Sequence, residues 1–177
     1  MIIPSPVNGK EPKIHEEAFI APTAVIIGDV EIDEGTNVWP GAKIRAAACK
    51  IKIGKNCSIQ DNVIIHSEFE TSLTIGEEVL IGHGAIVHGP GDIGDRALIG
   101  IGAIKLQKKS VGEGCLIGAG SLVTKDIPDY VLAFGSPAQL KGKRTKEDAT
   151  PKNTGLASYS MLCKAFKEKG LDQREEK

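Results

Sequence analysis

Residues 75–98 read IGEEVL IGHGAI VHGPGD IGDRAL, four hexapeptides opened in turn by Ile75, Ile81, Val87 and Ile93. The same beat runs back through Ile65, Ile59, Ile53, Ile44, Val38, Ile32, Ile26, Ile20 and Ile14, and forward through Ile99, Val111, Ile117 and Val123. Lys105 alone breaks the apolar series. Insertions of three residues between Ile44 and Ile53, and of four between Ile65 and Ile75, shift the register without ending it, so eighteen hexapeptides result. A six-residue period matches neither the ~3.6 period of a helix nor plain strand alternation, but it fits short extended segments separated by bends.

The fourth residue after each apolar one is usually small, as at Ala18, Ala24, Thr36, Ala42, Cys57, Ala85, Ala97, Ala103, Cys115 and Ser121. Glycine often follows the apolar residue directly, as at Gly54, Gly76, Gly82, Gly94, Gly100, Gly112 and Gly118, which suits a tight corner. Three such segments closing a triangular coil point every Ile and Val at a common axis, and stacked coils bury a continuous column of stiff, β-branched side chains. The chain is therefore expected to be an all-β solenoid of about six coils. This pattern resembles the hexapeptide-repeat proteins, and the resemblance implies a left-handed parallel β-helix; the period by itself does not set the hand.

With 177 residues, 41% hydrophobic and 4% aromatic, the composition suits one domain with an aliphatic core and a short appendage. Twenty-two basic against 23 acidic residues give a net charge of −1, which offers no basic field for nucleic acid. No apolar run approaches the ~18 residues of a membrane span, and the opening Met1–Pro6 carries no charged and apolar leader, so a cytoplasmic protein is expected. Cys49, Cys57, Cys115 and Cys163 lack metal-ligand spacing and read as buried thiols. Residues 1–138 are assigned to the β-helix and 139–177 to a polar connector, Lys141 to Thr154, followed by an amphipathic helix from about Leu156 to Lys169. Its apolar residues Tyr159, Leu162, Ala165 and Phe166 are expected to lie on the coil or on a neighbouring chain.

Three of the four histidines, His66, His83 and His88, fall within 23 residues. His66 follows Ile65 and His88 follows Val87, so once the four-residue insertion is looped out they occupy equivalent positions on successive coils. Coils sit ~4.8 Å apart, and two imidazoles in that column can reach one metal ion at ~2.0 to 2.1 Å each. His83, two residues after Ile81, lies around a convex edge and diverges from that pair. It can complete the site of a neighbouring molecule, and a ring of three chains would hold three identical three-histidine sites. One coil earlier, Arg45 falls in the column of His66 and His88, and Asp61 in the column of His83, so an Arg45–Asp61 ion pair is expected between subunits. The blander alternatives are solvated surface histidines and an ion pair that serves the oligomer alone. His15 lies in neither column.

Three neutral imidazoles leave Zn2+, Fe2+ or Co2+ an open position for water, and such a metal makes hydroxide available near neutral pH. At Ile59-Gln60-Asp61-Asn62-Val63-Ile64-Ile65-His66 and Ile81-Gly82-His83-Gly84-Ala85-Ile86-Val87-His88-Gly89 the chain resembles the γ-class carbonic anhydrases. The resemblance spans about Ile14 to Ala138. It implies a homotrimer hydrating CO2 to bicarbonate, with His66, His83 and His88 as ligands, Gln60 orienting the metal-bound hydroxide, and Arg45 with Asp61 bridging subunits. The family commonly follows its arginine with Gly or Ser and then Asp; here Arg45-Ala46-Ala47-Ala48 stands, and Ala48 occupies a position where some active members carry glutamate. CO2 hydration also needs a proton carrier. On the short segment after His66 the candidates are Glu68, which we take as the carrier, and Glu70, with a plain solvated loop as the alternative. Two further functions remain open at this stage, a metal-binding trimeric scaffold without turnover and a hexapeptide acyltransferase using a single histidine as base.

Overall fold

The β-branched residues at every sixth position turn inward, and the backbone hydrogen-bonds from coil to coil instead of to its sequence neighbours. The computed structural model describes residues 1–174, and in it each coil joins three short parallel strands. The first face aligns Ile14, Ile32, Ile53, Ile75, Ile93, Val111 and Ile127. The second aligns Ile20, Val38, Ile59, Ile81, Ile99, Ile117 and Ala133. The third aligns Ile26, Ile44, Ile65, Val87, Lys105 and Val123. From Ile20 to Val123 every inward residue is at most 1% exposed, and the small-residue slots between them are equally buried.

Both insertions loop out. The first sits within the strand Lys43–Ile53, where pairing slips from Gly28↔Ala46 to Val30↔Ile51. The second lies between the strands Ile64–His66 and Ser72–Ile75. The glycines that follow the apolar residues keep ordinary φ, so their reason is space and not a strained corner. A Cβ on Gly100 would meet the Ile117 carbonyl and the Ala119 nitrogen of the next coil at 2.6 Å. Left-handed backbone falls two residues later instead, at Asn56, Asn62 and Gly84 among others.

The solenoid runs further than the repeat. Ile2 pairs with Ile26 at one end, while at the other the strand Val131–Phe134 continues the second face and turns back antiparallel against Gln139–Lys143. The connector expected from Lys141 to Thr154 therefore includes the end of this last strand and a one-turn helix, Pro151–Thr154. The terminal helix spans Leu156–Glu168 and covers the outer side of the second face. There the Trp39 ring lies 5.4 Å from Phe19, 5.7 Å from Tyr159 and 5.2 Å from Phe166. Beyond the helix, Gln173 donates to the carbonyls of Ala21, Pro22 and Ala24, and Arg174 to those of His15, Glu16 and Ala18. All four cysteines are buried and free, and among the described residues no helix is long and apolar enough to cross a membrane.

Lys105 does point inward and is fully buried, with its Nζ donating to the His88 carbonyl at 3.1 Å. Burial pushes its ammonium down to about 8 from an ordinary 10.5, with Asp92 and Asp126 pulling the other way. Between those two values the unfolded chain holds a proton that the folded chain has released, so this group makes stability rise with pH across that window. Denaturant midpoints measured from pH 8 to 10.5 are expected to climb in the native chain more steeply than in Lys105→Met. Parallel pH profiles for the two proteins would show that Lys105 keeps its ordinary pKa.

Candidate metal centre

Arg45, His66 and His88 lie side by side on the third face, in the register Arg45↔His66 and His66↔His88. Each follows an inward aliphatic residue, so strand alternation turns all three outward. The two imidazole centroids are 5.6 Å apart with the rings inclined at 78°. An ion at ~2.1 Å from a nitrogen of each ring fits between them.

His66 donates from Nδ1 to the Arg45 carbonyl at 2.8 Å, which leaves its Nε2 lone pair unengaged. A backbone bond of this kind fixes tautomer and ring orientation. Burial holds the His66 imidazole below its ordinary pKa; the bond to the Arg45 carbonyl opposes this, and the charges of Arg45 and His88 add to it. His88 Nδ1 is buried and has no hydrogen-bond partner. An imidazole pair with open nitrogens is a donor set that fits zinc, iron or cobalt.

His83 sits one face away. Because Ile59 pairs with Ile81, Asp61 lies under His83, with its carboxylate 2.9 Å from His83 Nδ1. His83 Nε2 is 3.1 Å from the Tyr159 hydroxyl, which donates to it, and the His83 main-chain N–H donates to Gln60 Oε1 at 3.1 Å. Gln60 is 3% exposed and lines a groove of ≈ 370 Å³ together with Leu80, Leu98, Ile101 and Tyr159. Thus Gln60, Asp61, His83 and Tyr159 gather on one side of the coil, and Arg45, His66 and His88 on another. Among the described residues no three potential ligands meet within one chain.

Arg45 is exposed and has no ion-pair partner among the described residues, whereas Asp61 is engaged by His83. Beside the histidine pair the third face also presents Ile64 and Ile104, 41% and 36% exposed. Glu68 lies half-buried on the loop after His66. Its carbonyl accepts from Thr71, and its carboxylate bonds to nothing among the described residues. His15 is remote, its Nδ1 accepting the Glu17 N–H in a local turn. Tyr159 was missed by sequence reasoning, because helical spacing marks it as one apolar position among four and gives no measure of where the helix docks. The Asp61–His83 contact does have a signal in the sequence, the column that the two residues share.

A family model for the bacterial transferase hexapeptide (six repeats) matches residues 11–46. Gamma carbonic anhydrase 1, mitochondrial, of Arabidopsis thaliana is 34% identical over 168 residues, covering 90% of this chain and 60% of that protein. Two further Arabidopsis γ carbonic anhydrases match 47% of this chain, at 36% and 38% identity, so the chain spans between about a third and three fifths of these relatives' lengths. Among solved structures, a hexapeptide transferase family protein from Anaplasma phagocytophilum superposes with a TM-score of 0.85 at 32% identity, over 94% of this chain and 98% of that one. A putative acetyltransferase from Bacillus cereus gives a TM-score of 0.85 at 36% identity, over 95% and 97%. With the six-residue ladder, the three-faced coil and two solved relatives matched almost end to end, the chain belongs to the hexapeptide-repeat family of left-handed parallel β-helices.

Proposed function

We propose that this chain is the subunit of a homotrimer that holds a divalent metal between subunits and hydrates CO2 to bicarbonate. The observation that carries the reading is the stacked pair His66 and His88, 5.6 Å apart, with His66 fixed by the Arg45 carbonyl and no third ligand joining them among the described residues of the chain. His83 of a neighbouring copy supplies that third ligand. The apolar strip with Ile64 and Ile104 beside the pair is suited to burial against that copy, and the unpartnered Arg45 to pairing with its Asp61. Zinc, or alternatively iron or cobalt, supplies at this position a water acidified towards pKa ~7 and thus a nucleophile at neutral pH. Gln60 offers its free amide atom to orient substrate, and its other amide atom holds the His83 backbone. Asp61 keeps His83 in the tautomer whose Nε2 is free of its proton. Glu68 passes the released proton towards buffer.

Acyl transfer is the second reading, favoured by the Bacillus cereus relative described as a putative acetyltransferase. Titration with coenzyme A separates the two, since a CO2-hydrating trimer is expected to give no binding heat. A scaffold role is favoured by Ala47 and Ala48. It predicts stoichiometric metal with CO2 hydration no faster than the buffer control in stopped-flow measurements.

A shared site makes a sharp complementation prediction. His83→Ala chains and His66→Ala/His88→Ala chains each lose metal alone. Refolded together, every mixed trimer regains one intact site in three, read as zinc per trimer by elemental analysis. No recovery in mixed trimers would rule out the shared arrangement. Tyr159→Phe frees His83 Nε2 from the hydroxyl it now accepts from, so zinc affinity by chelator competition is expected to rise by about fivefold, the worth of one ordinary hydrogen bond. A fall in affinity would mean that the hydroxyl supports the bound state.

A further inference from the structure

Every inward residue of the third face from Ile26 to Val123 is aliphatic except Lys105, which is fully buried. Burying an ammonium costs more than a single bond to a carbonyl returns. An isoleucine or valine at this place would suit the coil better. Residues that break the local rule without a compensating gain in stability tend to sit at functional sites.

The partner of Lys105 is specific. Below His88 the ladder is complete, with Ile86↔Ile64, Val87↔Ile65 and His88↔His66 in register and Gly89 donating to the His66 carbonyl at 2.7 Å. Above it the pairing stops one residue short, at Val87↔Lys105. No main-chain N–H reaches the His88 carbonyl from that coil among the described residues, and the Lys105 side chain crosses back to it at 3.1 Å. His66 is oriented through its ring by the Arg45 carbonyl, but neither ring nitrogen of His88 has a hydrogen-bond partner among the described residues.

We infer that Lys105 is a positioning residue for the metal centre, holding the main chain of His88 so that its imidazole stays in register over His66. The inference rests on the reading of His66 and His88 as ligands. Lys105 touches neither metal nor substrate; it acts through the His88 backbone, where the sheet leaves the ligand half-supported. Its length matters, because a donor must reach from the axis of one coil to the corner of the next.

The test compares the native chain with Lys105→Met, which keeps length and loses the donor, and Lys105→Gln, whose amide can still donate. Zinc affinity is measured by chelator competition, stability by denaturant midpoint at pH 7, and His88 ring order by 1H–15N imidazole NMR of the metal-free protein. Lys105→Met is expected to be at least as stable as the native chain, to bind zinc ~10-fold to 100-fold more weakly, and to broaden or split the His88 ring signals while those of His15 stay unchanged. Lys105→Gln is expected to recover part of both the affinity and the sharp signal. Native affinity and native His88 signals in Lys105→Met overturn the inference, as does a loss of affinity that merely tracks a loss of stability in both variants. Should the native chain itself bind no zinc, the proposed function fails, and the metal-free NMR comparison still decides the role of Lys105.

Discussion

The hydrogen-bonded spacing between coils, ~4.8 Å along the axis, is the constraint from which the candidate centre takes its dimensions. Side chains on one strand face alternate away from each other, so no single strand could bring Arg45, His66 and His88 together. Stacking does so, because equivalent positions on consecutive coils are neighbours by construction. The distance between the two imidazoles is thus a property of the ladder and depends on the aliphatic column beneath it. Ile44, Ile65 and Val87 are fully buried and stiff at χ1, so they fix where their outward neighbours emerge. A centre built on regular backbone in this way is more rigid than one carried by loops.

Much of this was legible because a six-residue period is a coordinate system once its insertions are assigned. The three faces, the column of His66 with His88 and the column of Asp61 with His83 all follow from counting, and the register agrees residue by residue. The glycine reading was half right. Position and need were visible, but the cause is the approach of the next coil and not the local dihedral, and that approach is a property of stacking. The hairpin of Gln139–Lys143 was hidden because a single antiparallel return has no period to betray it. Tyr159 was hidden for a related reason: a helix docks by aromatic packing against Phe19 and Trp39, residues 140 and 120 positions before Tyr159 whose spacing carries no trace of it.

The three faces have divided the labour. The second is roofed by the terminal helix, which buries Phe19, Ala21 and Trp39 and lowers Tyr159 onto His83. Burial raises the Tyr159 hydroxyl above its ordinary pKa, so it remains a protonated donor at neutral pH. The first face carries salt bridges from Glu31 to Lys50 and Lys52 and has the character of a solvated surface. The third keeps exposed isoleucines next to its histidines. The bulge Ala46–Ala48 beside it carries no side chain able to hydrogen-bond, so polar support for the pair comes from backbone carbonyls and from Lys105 instead.

A solenoid of parallel strands has two raw ends, and each exposes a row of main-chain groups ready to template another coil. In this chain both ends of the second-face sheet are blunted. At the start, Gln173 and Arg174 occupy carbonyls of residues 15–24. At the finish, the sheet reverses direction into Gln139–Lys143, a wholly exposed strand bearing two lysines. A reversed, charged margin cannot continue a parallel stack, and terminal caps of this kind are what keep repeat arrays from growing end to end into fibres. The tail that closes the first coil belongs to the same terminal segment as the helix bearing Tyr159, so the device that ends growth along the axis also leaves the lateral faces as the places where copies of the chain can meet.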